Sequence, residues 1–302
     1  MRMECIKRMD FKTRTRLGAT SRTEKSLVEA KKYHFDWVTL AYCNCCYPHE
    51  VLIIDAVKNT PSGSIRLQTY DNNEKMRHFL VQILKNCRIG TFEFFELDKP
   101  NELLDFWPEI ENCAPFRFKT FKSSAFSSEG AMFFLKNCGR VEKILLNNNS
   151  FRNYELWDFL DIPVVMNAKL FQFQFLRESD RGVHQLVQKW IDNHSEIGKS
   201  LRIATEFAGF AESFTSEFES RVIYKNDVTI RIRTNDESKH ILMRCEKGER
   251  NQFDDSYYSC TIIPSNLLES EYKKDMQWIK QTRYEELCED DKYHYVGSDS
   301  EW

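Results

Sequence analysis

The residues best suited to metal chemistry or nucleophilic catalysis lie in one short segment. The stretch CNCCYPH places Cys43, Cys45, Cys46 and His49 close together, and thiolates and imidazoles are the ligands that zinc prefers. No second Cys/His pair follows at the spacing of a zinc finger. A cysteine-rich strand end is therefore the favoured interpretation, and we predict neither a metal nor a cofactor.

The sequence lacks the short motifs that carry catalysis or bind nucleotides. It contains no G-x-S-x-G, H-E-x-x-H, G-x-G-x-x-G or Walker-type run, and its seven histidines are scattered. The glycine content, 10 of 302 residues, also disfavours glycine-rich phosphate loops. We therefore predict a protein that catalyses no reaction. An enzyme on an α/β fold is the less favoured alternative.

One group of charged side chains is a candidate for binding a ligand. In VTIRIRTN, Arg231 and Arg233 alternate with apolar residues, and Arg244 follows in the next strand-like segment. These arginines could form a small basic patch that binds a phosphorylated or acidic peptide. An ordinary solvent-facing strand surface is the simpler interpretation of the same pattern.

Composition and charge limit the classes of function. With 41% hydrophobic residues, the chain has enough apolar content to bury a core. The net charge of -3 and the pI of about 6.2 do not indicate a polyanion-binding protein. No secretory signal or membrane-length apolar run occurs, so the ten cysteines are expected to be thiols. We expect an intracellular protein, cytoplasmic or nuclear, without nucleic-acid or membrane partners.

Strand-like segments recur along the chain at nearly even spacing. They are 25 to 30 residues apart and begin at Trp37, Ile65, Phe92, Arg117, Ile144, Phe171 and Leu201. Amphipathic helical stripes lie between several of them, at 76–84 and 183–191. The segment VEKILLNNNSF fits the pattern L-x-x-L-x-L-x-x-N-x-L of leucine-rich repeats. We predict an α/β fold, a degenerate leucine-rich-repeat-like β-α solenoid, with an ordinary α/β sheet as the alternative.

Within that fold, alternate strand residues should point into the core. The residues expected to be buried on this basis are Phe92, Phe94, Ile144, Leu146, Phe171 and Phe173. Three later strand-like runs, VTIRIRTN, KHILMRCE and YYSCTIIP, predict a small C-terminal antiparallel sheet that caps the solenoid. The predicted domains are 1–35, 36–222, 223–284 with a helix beyond its strands, and an acidic tail at 285–302.

The opening segment, ECIKRMDFKTRTRLGATSRTEKSLVEAKK, resembles an F-box, a compact module of three helices. The resemblance lies in the run MDFKTRTRL and in the Leu-Val pair at 27–28. It implies a surface for the Skp-type linker protein of the SCF ubiquitin ligase, with contributions from Met3, Ile6, Met9, Phe11 and Leu17. Of these, Met3 and Phe11 are expected to be exposed, and Ile6, Met9 and Leu17 to cluster with Leu27.

Two further segments support the same family. LVQKWIDNHSEIG and VTIRIRTNDESKHILMR resemble the F-box-associated regions of the large nematode F-box families. This resemblance implies a substrate-recruiting adaptor of an SCF-type ligase, which binds a target protein through its repeat region. The Leu-Pro start of the family pattern is absent from this sequence. The alternative is therefore an interaction protein of the same fold that does not bind the ligase.

Overall fold

β-Strands supply most of the secondary structure. The computed structural model describes residues 5–6, 9–30, 32–43, 51–60, 63–70, 74–96, 107–125, 128–147, 156–176, 181–205, 209–247 and 256–272. The strands are β1 (Tyr33–Cys43), β2 (Val51–Thr60), β3 (Gly63–Tyr70), β4 (Cys87–Glu96), β5 (Phe116–Ala125), β6 (Cys138–Arg140), β7 (Lys143–Asn147), β8 (Leu170–Leu176), β9 (Ser200–Thr205), β10 (Val222–Lys225), β11 (Thr229–Arg233), β12 (Lys239–Lys247) and β13 (Ser256–Pro264).

Short helices connect many of these strands. The α-helices of the described ranges are α1 (Phe11–Gly18), α2 (Arg22–Ala30), α3 (Glu74–Asn86), α4 (Trp107–Glu111), α5 (Ser128–Lys136), α6 (Pro163–Asn167), α7 (Arg181–Asp192) and α8 (Phe210–Glu217). Single 3₁₀ turns lie at Leu156–Phe159, Glu219–Arg221 and Glu269–Glu271. None of the described helices is long and apolar enough to cross a membrane.

All of these strands belong to one mixed sheet. Its order is β10-β11-β12-β13-β9-β8-β7-β5-β4-β1-β2-β3, and β6 pairs with β5 outside this path. The centre, from β1 through β4, β5, β7 and β8 to β9, is parallel. Both ends are antiparallel: β2 and β3 extend the sheet beyond β1, and β13 to β10 extend it beyond β9.

The predicted leucine-rich-repeat-like solenoid is wrong. The strand IRLQT, which the even spacing placed as the second repeat, lies in β3 and pairs antiparallel with β2 at the edge of the sheet. β1 instead pairs directly with β4. The predicted separate C-terminal sheet is also wrong, because β13 pairs with β9 and the sheet is continuous. The even spacing of the strands predicted the wrong strand order because β2 returns antiparallel beside β1 as a hairpin. A hairpin costs less loop entropy than a crossover connection.

The helices cover one face of the sheet. The predicted helical stripes form α3 and α7, and the α7 stripe is buried throughout: Val183, Leu186, Val187, Trp190 and Ile191. These residues share one core cluster with the inward-facing strand residues. The burial predicted for Phe92, Phe94, Ile144, Leu146, Phe171 and Phe173 is confirmed, since each is at most 3% exposed.

Phenylalanine rings fill the centre of this core. Phe134 of α5 is fully buried, and its ring centroid lies 4.8 Å from that of Phe92 and 5.3 Å from that of Phe94. Phe92 in turn stacks on Phe118 of the neighbouring strand at 4.5 Å. Such ring pairs stabilise a core beyond the area that they bury. The cluster therefore holds α5 against β4 and β5.

In several neighbouring strands, the alternation between buried and outward-facing residues is interrupted by one extra residue, and the interruption lies at the same level in each strand. In β4, Ile89 and Phe92 are both buried, although strict alternation would place them on opposite faces. The register pairs Ile89 with Phe35 of β1 and with Phe118 of β5, which are also buried. Because the strands make this change together, their backbone pairing continues across it.

Replacing Phe134 with alanine should lower the free energy of unfolding by about 3–5 kcal/mol, because the buried ring leaves a cavity among other rings. Urea denaturation monitored by circular dichroism measures the loss. The control is Val228→Ala, at a side chain 46% exposed, where a change of about 0.5 kcal/mol or less is expected. A loss below about 1 kcal/mol for Phe134→Ala would contradict a close-packed core at this position.

Gly90 should not tolerate a side chain. It lies between the two buried residues of β4, and a Cβ there would sit 2.6 Å from the backbone carbonyl oxygen of Asp36 in β1. We expect Gly90→Ala to cost about 1–3 kcal/mol in thermal or urea unfolding, since one strand must move. At Gly18 in α1 a Cβ would meet no atom closer than 3.9 Å. Gly18→Ala is the matched control, and an equal loss in the two variants would contradict the close approach of β1 and β4.

Candidate interaction surfaces

The N-terminal helices begin with a side-chain cap. The Asp10 carboxylate accepts a hydrogen bond from the Thr13 backbone N–H at 2.7 Å and another from the Thr13 hydroxyl at 3.1 Å. Such a cap satisfies one of the free N–H groups of the first turn. Arg14, only 6% exposed, donates from Nε to the Met9 carbonyl at 3.2 Å. The run MDFKTR therefore starts α1 and ties it to the preceding residues.

The predicted linker-binding residues are divided between the core and the surface. Phe11 is 7% exposed, and its ring packs against Tyr33, Phe35 and Phe79 at centroid distances of 5.5 to 5.8 Å. The prediction that Phe11 is exposed is wrong, because this ring anchors α1 to the sheet and to α3. Ile6 is 1% exposed.

The other members of that predicted set reach the surface or lie outside the described residues. Met9, Leu17 and Leu27 are half-buried. Met3 lies outside the described residues. The role of the whole predicted set in binding the linker stays a prediction. A cleft of about 260 Å³ opens between α1, α2 and α3, and its walls include Arg14, Val28, His78 and Gln82.

Arg231, the central arginine of the predicted basic patch, is buried and hydrogen-bonded within the protein. Arg231 is 8% exposed and donates to the backbone carbonyls of Ser265 at 2.6 Å and Leu267 at 2.8 Å. It also donates to the Tyr272 hydroxyl at 2.7 Å and to His240 Nδ1 at 3.0 Å. Arg231 is therefore a structural tie between β11 and the segment after β13.

The remaining arginines of that set lie apart. Arg233 is exposed and pairs across the strands with His240, whereas the half-buried Arg244 pairs with Thr229. Four residue steps along β12 separate these two positions, about 13 Å along the strand. The structure thus brings the three arginines onto one sheet face but leaves no compact patch. Their predicted role in binding a peptide stays a prediction.

His240 has an environment that favours its neutral form. Burial first, and then the positive charges of Arg231 and Arg233, lower the pKa of His240 below its ordinary value. Its Nδ1 atom accepts the hydrogen bond from Arg231 Nε, which requires the unprotonated nitrogen. The tie made by Arg231 therefore depends on a neutral imidazole.

The face opposite the described helices, which we call the helix-free face because no helix of the described ranges packs on it, carries a hydrogen-bonded group of polar side chains. The Trp37 indole N–H donates to Thr39 Oγ1 at 2.9 Å and to Glu93 Oε2 at 3.0 Å. The Thr39 hydroxyl donates to the same Glu93 oxygen at 3.2 Å. Lys122 Nζ lies 4.6 Å from the centre of the Trp37 ring. β1, β4 and β5 thus present one ordered polar group.

This group belongs to a row that crosses the sheet in register. The pairing aligns a set of mostly polar residues, one from each of the eight neighbouring strands β1, β4, β5, β7, β8, β9, β13 and β12. We call this set the polar row: Thr39, Glu93, Lys122, Leu145, Gln172, Arg202, Ser259 and Arg244. Most of its side chains are half-buried, and Thr39 and Gln172 are buried. Sequence reasoning missed this row because its members are far apart along the chain. The alternating polar positions within each strand were the available signal.

Three of the described cysteines, Cys87, Cys138 and Cys260, are unreactive thiols. Burial raises the pKa of the Cys87 and Cys260 thiols to about 12 and also raises that of Cys138, so these thiols stay protonated at neutral pH. No cluster of three or more His, Cys, Asp or Glu residues in the described ranges could hold a metal ion. The CNCCYPH residues Cys45, Cys46 and His49 lie outside those ranges.

Comparison with known proteins adds little. No protein-family model and no curated protein matches the chain. Among solved structures, an S-adenosylmethionine-dependent methyltransferase from Clostridium acetobutylicum ATCC 824 aligns with 10% identity over 70% of this chain and 80% of that one. The TM-score of that alignment is 0.14, and it carries no argument about fold or activity.

The neutral state of His240 predicts a pH dependence of stability. Since its pKa is lower in the folded than in the unfolded protein, its contribution is present above the ordinary pKa of about 6.5 and is lost as the pH falls through the folded value. We expect the Tm to fall between about pH 7.5 and about pH 5, and to fall less in His240→Gln, whose amide oxygen accepts from Arg231 at every pH. His194→Asn, at an exposed histidine, is the control. Equal pH dependence in the wild type and His240→Gln would contradict the role of His240.

Proposed function

We propose that this chain is a non-catalytic adaptor that holds a partner polypeptide on its helix-free face and joins an SCF-type ubiquitin ligase through its N-terminal helices. The observation that carries the proposal is the one-sided packing of the helices. The described helices leave the opposite face to the polar row and to ordered polar side chains such as Trp37, Thr39 and Glu93. An adaptor of this kind acts by proximity, since tethering a target raises its effective concentration at the ligase.

The helix-free face suits a polypeptide partner. The Trp37–Glu93 hydrogen bond and the Lys122 contact hold their side chains in place before any partner arrives, so binding would order few side chains. The row also alternates in chemistry: carboxylate at Glu93, ammonium at Lys122, amide at Gln172 and guanidinium at Arg202. A row of mixed donors and acceptors matches a polypeptide, which offers both, better than an apolar or singly charged ligand.

The N-terminal helices support the ligase connection by resemblance. The F-box-like run forms a capped helix, α1, followed by α2, and Met9 and Leu17 reach the surface there. Apolar side chains at a helical surface are what an F-box offers to its linker. These two residues, with α2, are the part of the resemblance that stays available for contact.

The burial of Phe11 favours a second candidate. If the family's contact surface needs that ring, the linker cannot reach it without separating α1 from Tyr33 and Phe35. The protein would then be an interaction module of the same fold that does not bind the ligase. The helix-free face would keep its role in either case.

Titration of purified Skp-type linker protein against the full chain distinguishes the two candidates. If the adaptor proposal holds, the linker binds, and the double variant Met9→Asp/Leu17→Asp weakens binding at least about tenfold, because a charge is placed in an apolar contact. The control is Leu268→Asp, at a side chain 65% exposed on the far end of the sheet, which should bind like the wild type. Isothermal titration calorimetry gives the affinities, and circular dichroism confirms that the variants fold. Absence of binding by the wild-type chain would reject the ligase connection and leave the interaction module.

A further inference from the structure

Arginines lie side by side at the starts of the central parallel strands. Arg117 pairs in register with Arg140 of β6. Arg88 lies one residue before the Ile89–Phe118 pair, and so beside Arg117. All three side chains are exposed, and Arg88 and Arg117 alternate with buried residues of β4 and β5. Neighbouring strands are about 4.8 Å apart, so the three guanidinium groups share a small area at the edge of the helix-free face.

This arrangement costs stability. Like charges directly opposite each other across strands repel. None of the three arginines forms an ion pair with another residue in the described ranges. The fold gains no ion pair from these three adjacent cations within the described ranges, whereas an anionic ligand would relieve the repulsion.

The cationic surface continues across the next strands. Backbone hydrogen bonds link Glu142 N–H to the Lys119 carbonyl, Lys169 N–H to the Glu142 carbonyl, and Ser200 N–H to the Lys169 carbonyl. These bonds hold Lys119, Lys169 and Lys199 at one level of the sheet edge. A crevice of about 590 Å³ opens there, lined by Arg140, Lys169, Lys199 and His194 among others.

We call this surface the basic band. Its cations lie near the starts of strands β4, β5, β7, β8 and β9 or in β6, and they are Arg88, Arg117, Lys119, Arg140, Lys143, Lys169 and Lys199. The carboxylates of the same described segments are Glu142 and Glu196. The band is therefore strongly positive although the whole chain has a net charge of -3.

We propose that the basic band binds an extended acidic segment of a partner polypeptide. The band runs over four strand steps, about 19 Å, which about six residues of extended chain would span. Carboxylates of such a segment would meet guanidinium and ammonium groups along its length. This proposal rests on the proposed function for the partner being a polypeptide, and it names the chemistry of the segment that is recognised.

The carboxylates within the band favour a peptide over a nucleic acid. Glu142 and Glu196 would repel a phosphodiester backbone, which lacks N–H donors, but they can accept hydrogen bonds from peptide N–H groups. Charge and hydrogen-bonding chemistry thus select the same class of ligand.

Fluorescence anisotropy with a labelled eight-residue peptide that carries six glutamates tests the proposal on the full chain. We expect saturable binding that weakens with added salt, and at least about tenfold weaker binding by the triple variant Arg88→Gln/Arg117→Gln/Arg140→Gln. The matched control removes the same charge from exposed positions elsewhere, as Arg16→Gln/Arg22→Gln/Lys225→Gln, and should bind within about twofold of the wild type.

A second form of the protein removes competition within the chain. Residues 285–302 carry seven carboxyl side chains and one lysine. The titration is therefore repeated with five of these carboxyls amidated, as Glu285→Gln, Glu286→Gln, Glu289→Gln, Asp290→Asn and Asp291→Asn.

Several results would overturn the proposal. They are failure of both protein forms to bind, equal weakening in the control triple variant, equal binding of a peptide with glutamine in place of glutamate, or tighter binding of a dodecauridylate RNA. Loss of linker binding alone would reject the ligase connection and leave the basic band standing. Binding of the linker without binding of the acidic peptide would reject the proposal for the basic band and leave the ligase connection standing.

Discussion

The structure depends on burying one face of a wide sheet beneath a single layer of helices. The phenylalanine cluster around Phe134 and Phe92 fastens α5 to β4 and β5, and the apolar stripe of α7 does the same farther along the sheet. Parallel strands are normally covered on both faces. Here the described helices cover one face of the parallel centre, and the other face combines the polar row with buried apolar residues such as Phe95, Ala204 and Tyr257. The packing of the described helices on the phenylalanine-rich face is the main organising feature of the described residues.

The polar and charged features of the molecule lie outside that packing. No described helix packs on the outer face at this point, and Trp37, Thr39 and Glu93 form an ordered group there. The same register that aligns backbone groups also aligns cations at the strand starts, and so produces the basic band. The proposed adaptor function needs a display surface rather than a pocket, and a sheet face is such a surface. The proposed functions of the helix-free face and of the basic band are thus two uses of one scaffold.

The ends of the sheet are held by specific interactions rather than by repetition. At one end, Phe11 inserts between α3 and β1, so the F-box-like helices are packed into the fold instead of being attached loosely. At the other end, Arg231 gathers the carbonyls that follow β13, and neutral His240 completes its set of acceptors. Both residues were candidates for contact with partners. Each has a structural role in the fold. The Phe11 ring covers the apolar rings of Tyr33 and Phe35, and the Arg231 guanidinium donates hydrogen bonds to backbone carbonyl groups that would otherwise lack a donor.

The sequence by itself determined the local elements and the inner face. Alternating apolar residues predicted the strands and the burial of Phe94, Ile144 and Phe173, since these patterns depend only on the period of each element. Tertiary structure decided the order of the strands: the even spacing was equally compatible with a crossover or a hairpin after β1, and only packing selected the hairpin. It also decided the surfaces, because Arg88, Arg117 and Arg140 are far apart in sequence and meet only through strand register. The net charge of -3 gave no indication of this cationic surface, since net charge is a sum over the chain and a binding surface depends on where the charges lie.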